Sequence, residues 1–182
     1  NSFRFDDEFT RYLFYRNAID PYAREYKNGN SRYDLIDLVR LCYALRPQGI
    51  TWPMHEDGRP SFKLEDLTRG NRIEHGQAHD ASADVYATIG IARLLRQRQP
   101  RLWQWALSLR DRHQVEEMLY QGQPLIHASA RFAARHGGVA LVLPLGEHPR
   151  IRNQHVVFDL AHSPEQFLKT PIAELKDYLY TP

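Results

Sequence analysis

The residues of this chain best suited to chemistry are one imidazole and two carboxylates. His79 and Asp84 are spaced His-x₄-Asp in the run HDASAD, and Asp6 lies in the run RFDDE. An imidazole with a pKa of about 6.5 can accept a proton at neutral pH. Carboxylate oxygens are what hard divalent cations prefer as ligands. Joined in one pocket, these groups would set a proton acceptor beside oxygens able to hold a cation. Each piece alone is weak. With 9 His and 12 Asp in 182 residues, a His-x₄-Asp pair arises readily by chance. Asp6 by itself reads as a helix N-cap, with Asp7 and Glu8 favoured at the positive end of the helix dipole. His79 by itself reads as a loop histidine. His75 and His79 are separated by Gly76 with no cysteine nearby, which argues against zinc.

The elements that must position these groups follow from the apolar spacing. Phe9, Leu13 and Ile19 predict a helix over 7–19 stopped by Pro21, so Asp6 falls at its entry. Ser31 with Asp34 reads as a capping box before Leu35, Leu38, Val39, Cys42 and Leu45, a helix ending ahead of Pro47. The stretch 47–60 is a loop. Ser61 caps a short helix through Leu64 and Leu67 that ends at Gly70. The strongest helix runs from Asp80 to about Arg98, with Ala81, Val85, Ile89, Ala92 and Leu95 as its apolar stripe. His79 lies in the loop before it and Asp84 in its first turns. A further helix is predicted over 101–120. The stretches 124–132, 138–145 and 154–160 read as strands, and 171–180 as a terminal helix. The domain boundary falls within 99–122.

Composition narrows the class. The chain is 42% hydrophobic, enough for one domain or one and a half small ones. No run of about 18 apolar residues occurs, so no membrane span is expected, and no leader suggests secretion. Cys42, the single cysteine, cannot form an internal disulfide and fits a reducing cytoplasm. The formal charge of +2 decides nothing by itself. Arg93, Arg96, Arg98, Arg101, Arg110 and Arg112 nevertheless cluster around Trp103 and Trp105 with Asp111 as the one acid among them, which suits either a solvated helix face or a nucleic-acid surface. Tyr22, Tyr26 and Trp52 are candidate platforms for bases, whose stacking is worth about 1–3 kcal/mol each.

In their order, RFDDE at 4–8, FYRNAIDPYA at 14–23, CYALRPQGI at 42–50, RPSFKLEDLT at 59–68, AHDASADVYATI at 78–89 and RQPRL at 98–102 resemble bacterial exonuclease I, of the DEDDh 3′→5′ exonuclease superfamily. The resemblance covers nearly all of 1–120 and, more loosely, the β-rich remainder. It implies an α/β fold: an RNase H-like exonuclease domain lacking its amino-terminal strands (1–100), followed by a linker helix and a partial SH3-like domain (101–182). It implies a hydrolase that removes 5′-mononucleotides from the 3′ end of single-stranded DNA, in DNA repair and recombination, with two Mg²⁺ ions for which Mn²⁺ can substitute. Asp6 and Asp84 are then metal-binding acids and His79 the general base. Lys63, Arg11, Tyr22, Tyr26, Arg40, Arg112 and Asn153 become substrate contacts, while Arg46 and Trp105 receive the acidic tail of single-stranded-DNA-binding protein. The family's first motif, an Asp-x-Glu on a strand, is expected ahead of Asn1. The chain by itself is therefore expected to be inactive and to self-associate through an exposed sheet edge. An exoribonuclease of the same superfamily, or a noncatalytic DNA- or protein-binding module, are the alternatives.

Overall fold

The computed structural model describes residues 6–74, 81–172 and 174–175. Its first part is helical: α1 (Asp6–Arg16), α2 (Ala23–Tyr26) running into a 3₁₀ turn at Lys27–Gly29, α3 (Leu35–Leu45), α4 (Leu64–Gly70), α5 (Ala81–Arg98), α6 (Pro100–Ser108) and α7 (Arg112–Tyr120). A sheet of β1 (Leu125–Ala128), β2 (Val139–Glu147) and β3 (His155–Asp159) follows, and then α8 (Glu165–Lys169). The expected terminal helix at 171–180 lies mostly outside the described residues.

Helix α3 is the centre of the fold. Asp34 caps it from an extended conformation, its carboxylate accepting from the Ile36 amide at 3.2 Å. Ser31 takes no part in that cap and instead accepts a hydrogen bond from Arg110 at 3.1 Å, so the expected capping box reduces to a single Asp cap. Leu38, Val39 and Cys42 face a core shared with Leu67 of α4, Ile91 and Leu95 of α5 and Ala106 of α6. Burial pushes the Cys42 thiol up to about 12, leaving it a neutral packing group. Tyr43, Trp52 and Phe62 meet edge to face at 5.4–6.4 Å, and Trp52 donates its indole N–H to the Pro47 carbonyl. Trp52 is thus a packing residue here rather than an open platform for a base.

Two readings of helical faces are corrected. In α5 the buried line is Ala87, Ile91 and Leu95, whereas Val85 is 57% and Ile89 39% exposed. The helix carries apolar residues on two faces, and periodicity alone does not say which one meets the core. In α1 the buried residue is Asp7, while Phe9 and Leu13 stay 68% and 58% exposed. The apolar surface that a bared sheet edge was expected to present in the amino-terminal part is, among the described residues, helical. The only strand-like pairing described before residue 120 is an isolated bridge between Met54 and Pro60.

The predicted helix over 101–120 divides into α6 and α7. Asp111 adopts an extended conformation and accepts from the His113 amide at 2.9 Å, starting a new helix where propensity alone would have run on. The sheet is antiparallel in the order β1-β2-β3, with Leu125 opposite Val142 and Val142 opposite Asp159. A register shift between Pro144 and Gly146 accommodates a proline in the middle strand. Strand β1 stops sooner than expected because Ser129 turns the chain, its side chain accepting from the Arg131 amide.

The sheet seats on α3 through Gly137 and Gly138, at φ 71° and 70°. A Cβ on Gly137 would lie 2.5 Å from the Tyr43 ring. Gly137→Ala therefore combines left-handed strain with a collision against a core aromatic. It is expected to lower the unfolding free energy by about 1–3 kcal/mol, read as a drop in the urea midpoint. An unchanged midpoint would mean that the turn is free to move off α3.

Candidate active site and nucleic-acid interface

Asp6 and Asp84 each stand in the first turn of a helix, of α1 and α5 respectively. The Asp6 side chain is exposed, and no described residue pairs with its carboxylate; its carbonyl accepts from Thr10 Oγ1 at 2.6 Å. Asp84 is half-buried, with its carbonyl accepting from Thr88 Oγ1 at 2.8 Å. It lies on the same side of α5 as Ala87, Ile91 and Leu95, so it extends the stripe bolted into the core. His79 and the loop around it lie outside the described residues. Among the described residues no group of three or more His, Cys, Asp or Glu could hold a metal ion.

Asp7 differs sharply from its neighbour. It is 4% exposed, with Oδ1 2.7 Å from Arg24 and Oδ2 2.8 Å from Arg32. Arg32 also reaches Glu25 at 2.9 Å, and Arg11 forks onto the same Glu25 with two bonds of 2.9 Å. The Arg11 fork, helped by Arg32, holds the Glu25 carboxyl below the usual carboxylate range, and Glu25 in turn raises Arg11. Five charged side chains from α1, α2 and the segment before α3 thus form one network. Sequence reasoning missed it because the partners are far apart along the chain and no local spacing announces them.

The other predicted residues are dispersed. Arg11 lies 4.9 Å from the centre of the Tyr22 ring, so these two are brought together with the guanidinium already paired. Tyr22 and Tyr26 are both exposed, and Asp20 accepts from the Tyr26 hydroxyl at 3.4 Å. Lys63 is exposed at the start of α4. Arg40 is largely covered, pairs with Asp37 at 2.7 Å and runs beneath Gly138. Arg112 donates to Asn153 Oδ1 at 2.6 Å and to Glu116 at 2.6 Å. This joins α7 to the β2–β3 turn, where Asn153 adopts φ 62°. Arg46 is exposed at the end of α3, and Trp105 is 36% exposed on α6.

Comparison with known proteins places this geometry. Residues 110–182 match the Exonuclease I SH3-like domain. Exodeoxyribonuclease I of Haemophilus influenzae is 49% identical over 183 residues, an alignment covering 100% of this chain and 39% of the relative. The fold superposes on E. coli exonuclease I in complex with a dA16 oligonucleotide with a TM-score of 0.91 at 48% identity, covering 100% of this chain and 39% of that one. An ExoI/SSB-Ct complex matches with a TM-score of 0.88 at 48% identity, over 100% of this chain and 39% of that one. The chain thus spans about 39% of the length of the relatives it matches. Its helical part and small antiparallel sheet correspond to part of the α/β nuclease region and the SH3-like domain of exonuclease I. From end to end, the chain is a homologue of exodeoxyribonuclease I.

Proposed function

We propose that this chain carries part of the active site and part of the DNA path of a 3′→5′ exodeoxyribonuclease, which degrades single-stranded DNA to 5′-mononucleotides in DNA repair and recombination. The observation that carries the reading is the correspondence of the whole of this chain, at a TM-score of 0.91, with 39% of an exonuclease I in complex with dA16. Asp6 and Asp84 suit hard divalent ions. Both are carboxylates on helix first turns, and Asp6 is exposed with no described residue competing for it. Mg²⁺, or Mn²⁺ in its place, would supply charge stabilisation of the phosphodiester as it is cleaved. The chain's own residues do the rest. Asp84 holds a fixed negative charge at the end of a core-anchored helix, Asp6 offers a second, and His79 takes the proton of the attacking water. The family's Asp-x-Glu pair is assigned to the part of the relatives' length that this chain does not span.

Lys63, Arg11, Arg40, Arg112 and Asn153 are proposed contacts to the phosphate backbone, and Tyr22 and Tyr26 stacking faces. The Arg112–Asn153 bond between α7 and the sheet presents one joint surface for such contacts. Arg46 and Trp105 would receive the carboxyl-terminal tail of single-stranded-DNA-binding protein. The domain break is set within 99–122, a reading supported by the capped interruption between α6 and α7. A cytoplasmic location fits the chemistry, and no described helix is long and apolar enough to cross a membrane. Phe9, Leu13, Val85 and Ile89, exposed on α1 and α5, would drive self-association of the 182-residue chain.

The test is digestion of matched 5′-labelled DNA and RNA oligomers in Mg²⁺ by the full-length protein and by the 182-residue chain. The full-length protein is expected to shorten DNA alone. The 182-residue chain is expected to cleave neither until a segment supplying the Asp-x-Glu strand is added. Digestion of RNA would instead support an exoribonuclease, and binding without cleavage a noncatalytic module.

A further inference from the structure

The geometry points to Arg24 and Arg32 as positioning residues: by clamping Asp7 they set the first turn of α1 and hence the direction in which Asp6 offers its carboxylate. This rests on the metal-binding role proposed for Asp6. The argument begins with how α1 is attached. Phe9, Tyr12 and Leu13 on its apolar face are all exposed. The side chains that tie the helix to its neighbours are polar: Asp7, gripped by Arg24 and Arg32, and Arg11, forked onto Glu25. Asp7 and Arg11 are one helical turn apart on the same side. Among the described residues, a polar face therefore holds α1 where an apolar stripe usually would.

Stability alone is a poor reason for such a cluster. Burying a carboxylate costs desolvation free energy that ion pairing only partly offsets, and apolar replacements are often as stable. What paired charges provide is direction. Each Asp7 oxygen faces a different arginine, Oδ1 toward Arg24 and Oδ2 toward Arg32, so the carboxylate cannot rotate without losing one contact. Arg32 in turn is shared with Glu25, which Arg11 grips through two nitrogens. The chain of contacts returns to α1 and closes a ring around its first two turns. Since successive residues of an α-helix are rotated by about 100°, fixing the Asp7 side chain leaves Asp6 little freedom beyond its own rotamer. Three guanidinium groups meet two carboxylates in the ring. Asp7 is thus ion-paired with two arginines, while Asp6 and Glu8 are the exposed acids of the first turn, Asp6 being the one to which the metal-binding role falls.

The experiment uses the full-length protein with Arg24→Gln and Arg32→Lys, both at partly exposed positions. The lysine keeps the charge but cannot bridge Asp7 and Glu25 with two nitrogens. Mn²⁺ affinity is measured by electron paramagnetic resonance in the absence of DNA, alongside kcat and KM on single-stranded DNA and the thermal midpoint. Both variants are expected to bind Mn²⁺ about tenfold more weakly and to lose kcat by about tenfold, since small misplacements of a reacting group are costly, with KM for DNA unchanged. Arg32→Lys, which keeps its charge, is expected to retain more than Arg24→Gln. A lowered thermal midpoint with wild-type Mn²⁺ affinity and kcat would overturn the proposal and leave the cluster a structural clamp. A wild-type protein that binds Mn²⁺ yet cleaves no DNA would instead sink the nuclease reading, while the Mn²⁺ affinities of the variants would still decide the positioning role.

Discussion

Replacing His79 with alanine in the full-length protein is expected to cut turnover on single-stranded DNA by about 10²–10⁴-fold while DNA affinity survives, the range for loss of a positioned general base. His79 belongs to a segment just ahead of α5, whose far end is anchored by Ile91 and Leu95 in the core shared with α3, α4 and α6. A general base must be deprotonated to act, so the acid limb of the wild-type pH–rate profile should depend on His79. In His79→Ala that limb should disappear, with the remaining slow rate rising as hydroxide becomes available. The measurement is single-turnover cleavage from pH 5.5 to 9, with binding followed separately by fluorescence anisotropy in Ca²⁺. Parallel loss of binding and turnover would reclassify His79 as a residue that holds the loop in place.

How much of this was legible in the sequence depends on whether the signal was local. The body and the end of helix α3 were readable from its apolar spacing and the proline that follows, whereas its cap is Asp34 alone and not the Ser31–Asp34 box that the spacing suggested. The strands were readable as stretches rich in Val, Leu, Ile and Phe between turn residues, with ends displaced wherever a side chain such as Ser129 offered the backbone a competing bond. The buried face of α5 was misread. Val85 and Ile89 fit an apolar stripe as well as Ala87 and Ile91 do, and it takes tertiary packing, such as that of Ile73 after α4 against Gly90 of α5, where an added Cβ would lie 2.5 Å from it, to decide between them. In the candidate site the identities of Asp6 and Asp84 came from short motifs taken together in order. Asp6 and Asp7 are alike to any reading of spacing, and it takes Arg24 and Arg32 closing on Asp7 to tell them apart. Arg11 and Arg40, plausible phosphate contacts as bare cations, are already paired with Glu25 and Asp37. A phosphate would have to compete with those carboxylates or share their arginines.

Asp84→Asn in the full-length protein is expected to reduce cleavage by about 10³-fold or more, and to move the Mg²⁺ concentration for half-maximal rate upward, with little change in folding stability. The substitution keeps the size of the side chain and one carbonyl-like oxygen, so the Ala87–Ile91–Leu95 side of α5 has no cavity to absorb. What it removes is a negative charge at a half-buried position, where surrounding protein screens less than water and a charge acts more strongly on a divalent ion. Charge stabilisation by bound metal is worth several kcal/mol in reactions of this class, and each 1.36 kcal/mol is about tenfold in rate. The contrast with Asp7 sharpens the expectation. Removing the Asp7 charge would take a shared partner from Arg24 and Arg32, which water still reaches, and cost folding stability on the order of 1 kcal/mol. Two aspartates in first turns of helices are therefore expected to separate cleanly, Asp84 by its metal titration and Asp7 by its thermal midpoint. A Mg²⁺ titration of Asp84→Asn that overlays the wild-type curve would take Asp84 out of the metal shell and return it to the role of a carboxylate near a helix N-terminus.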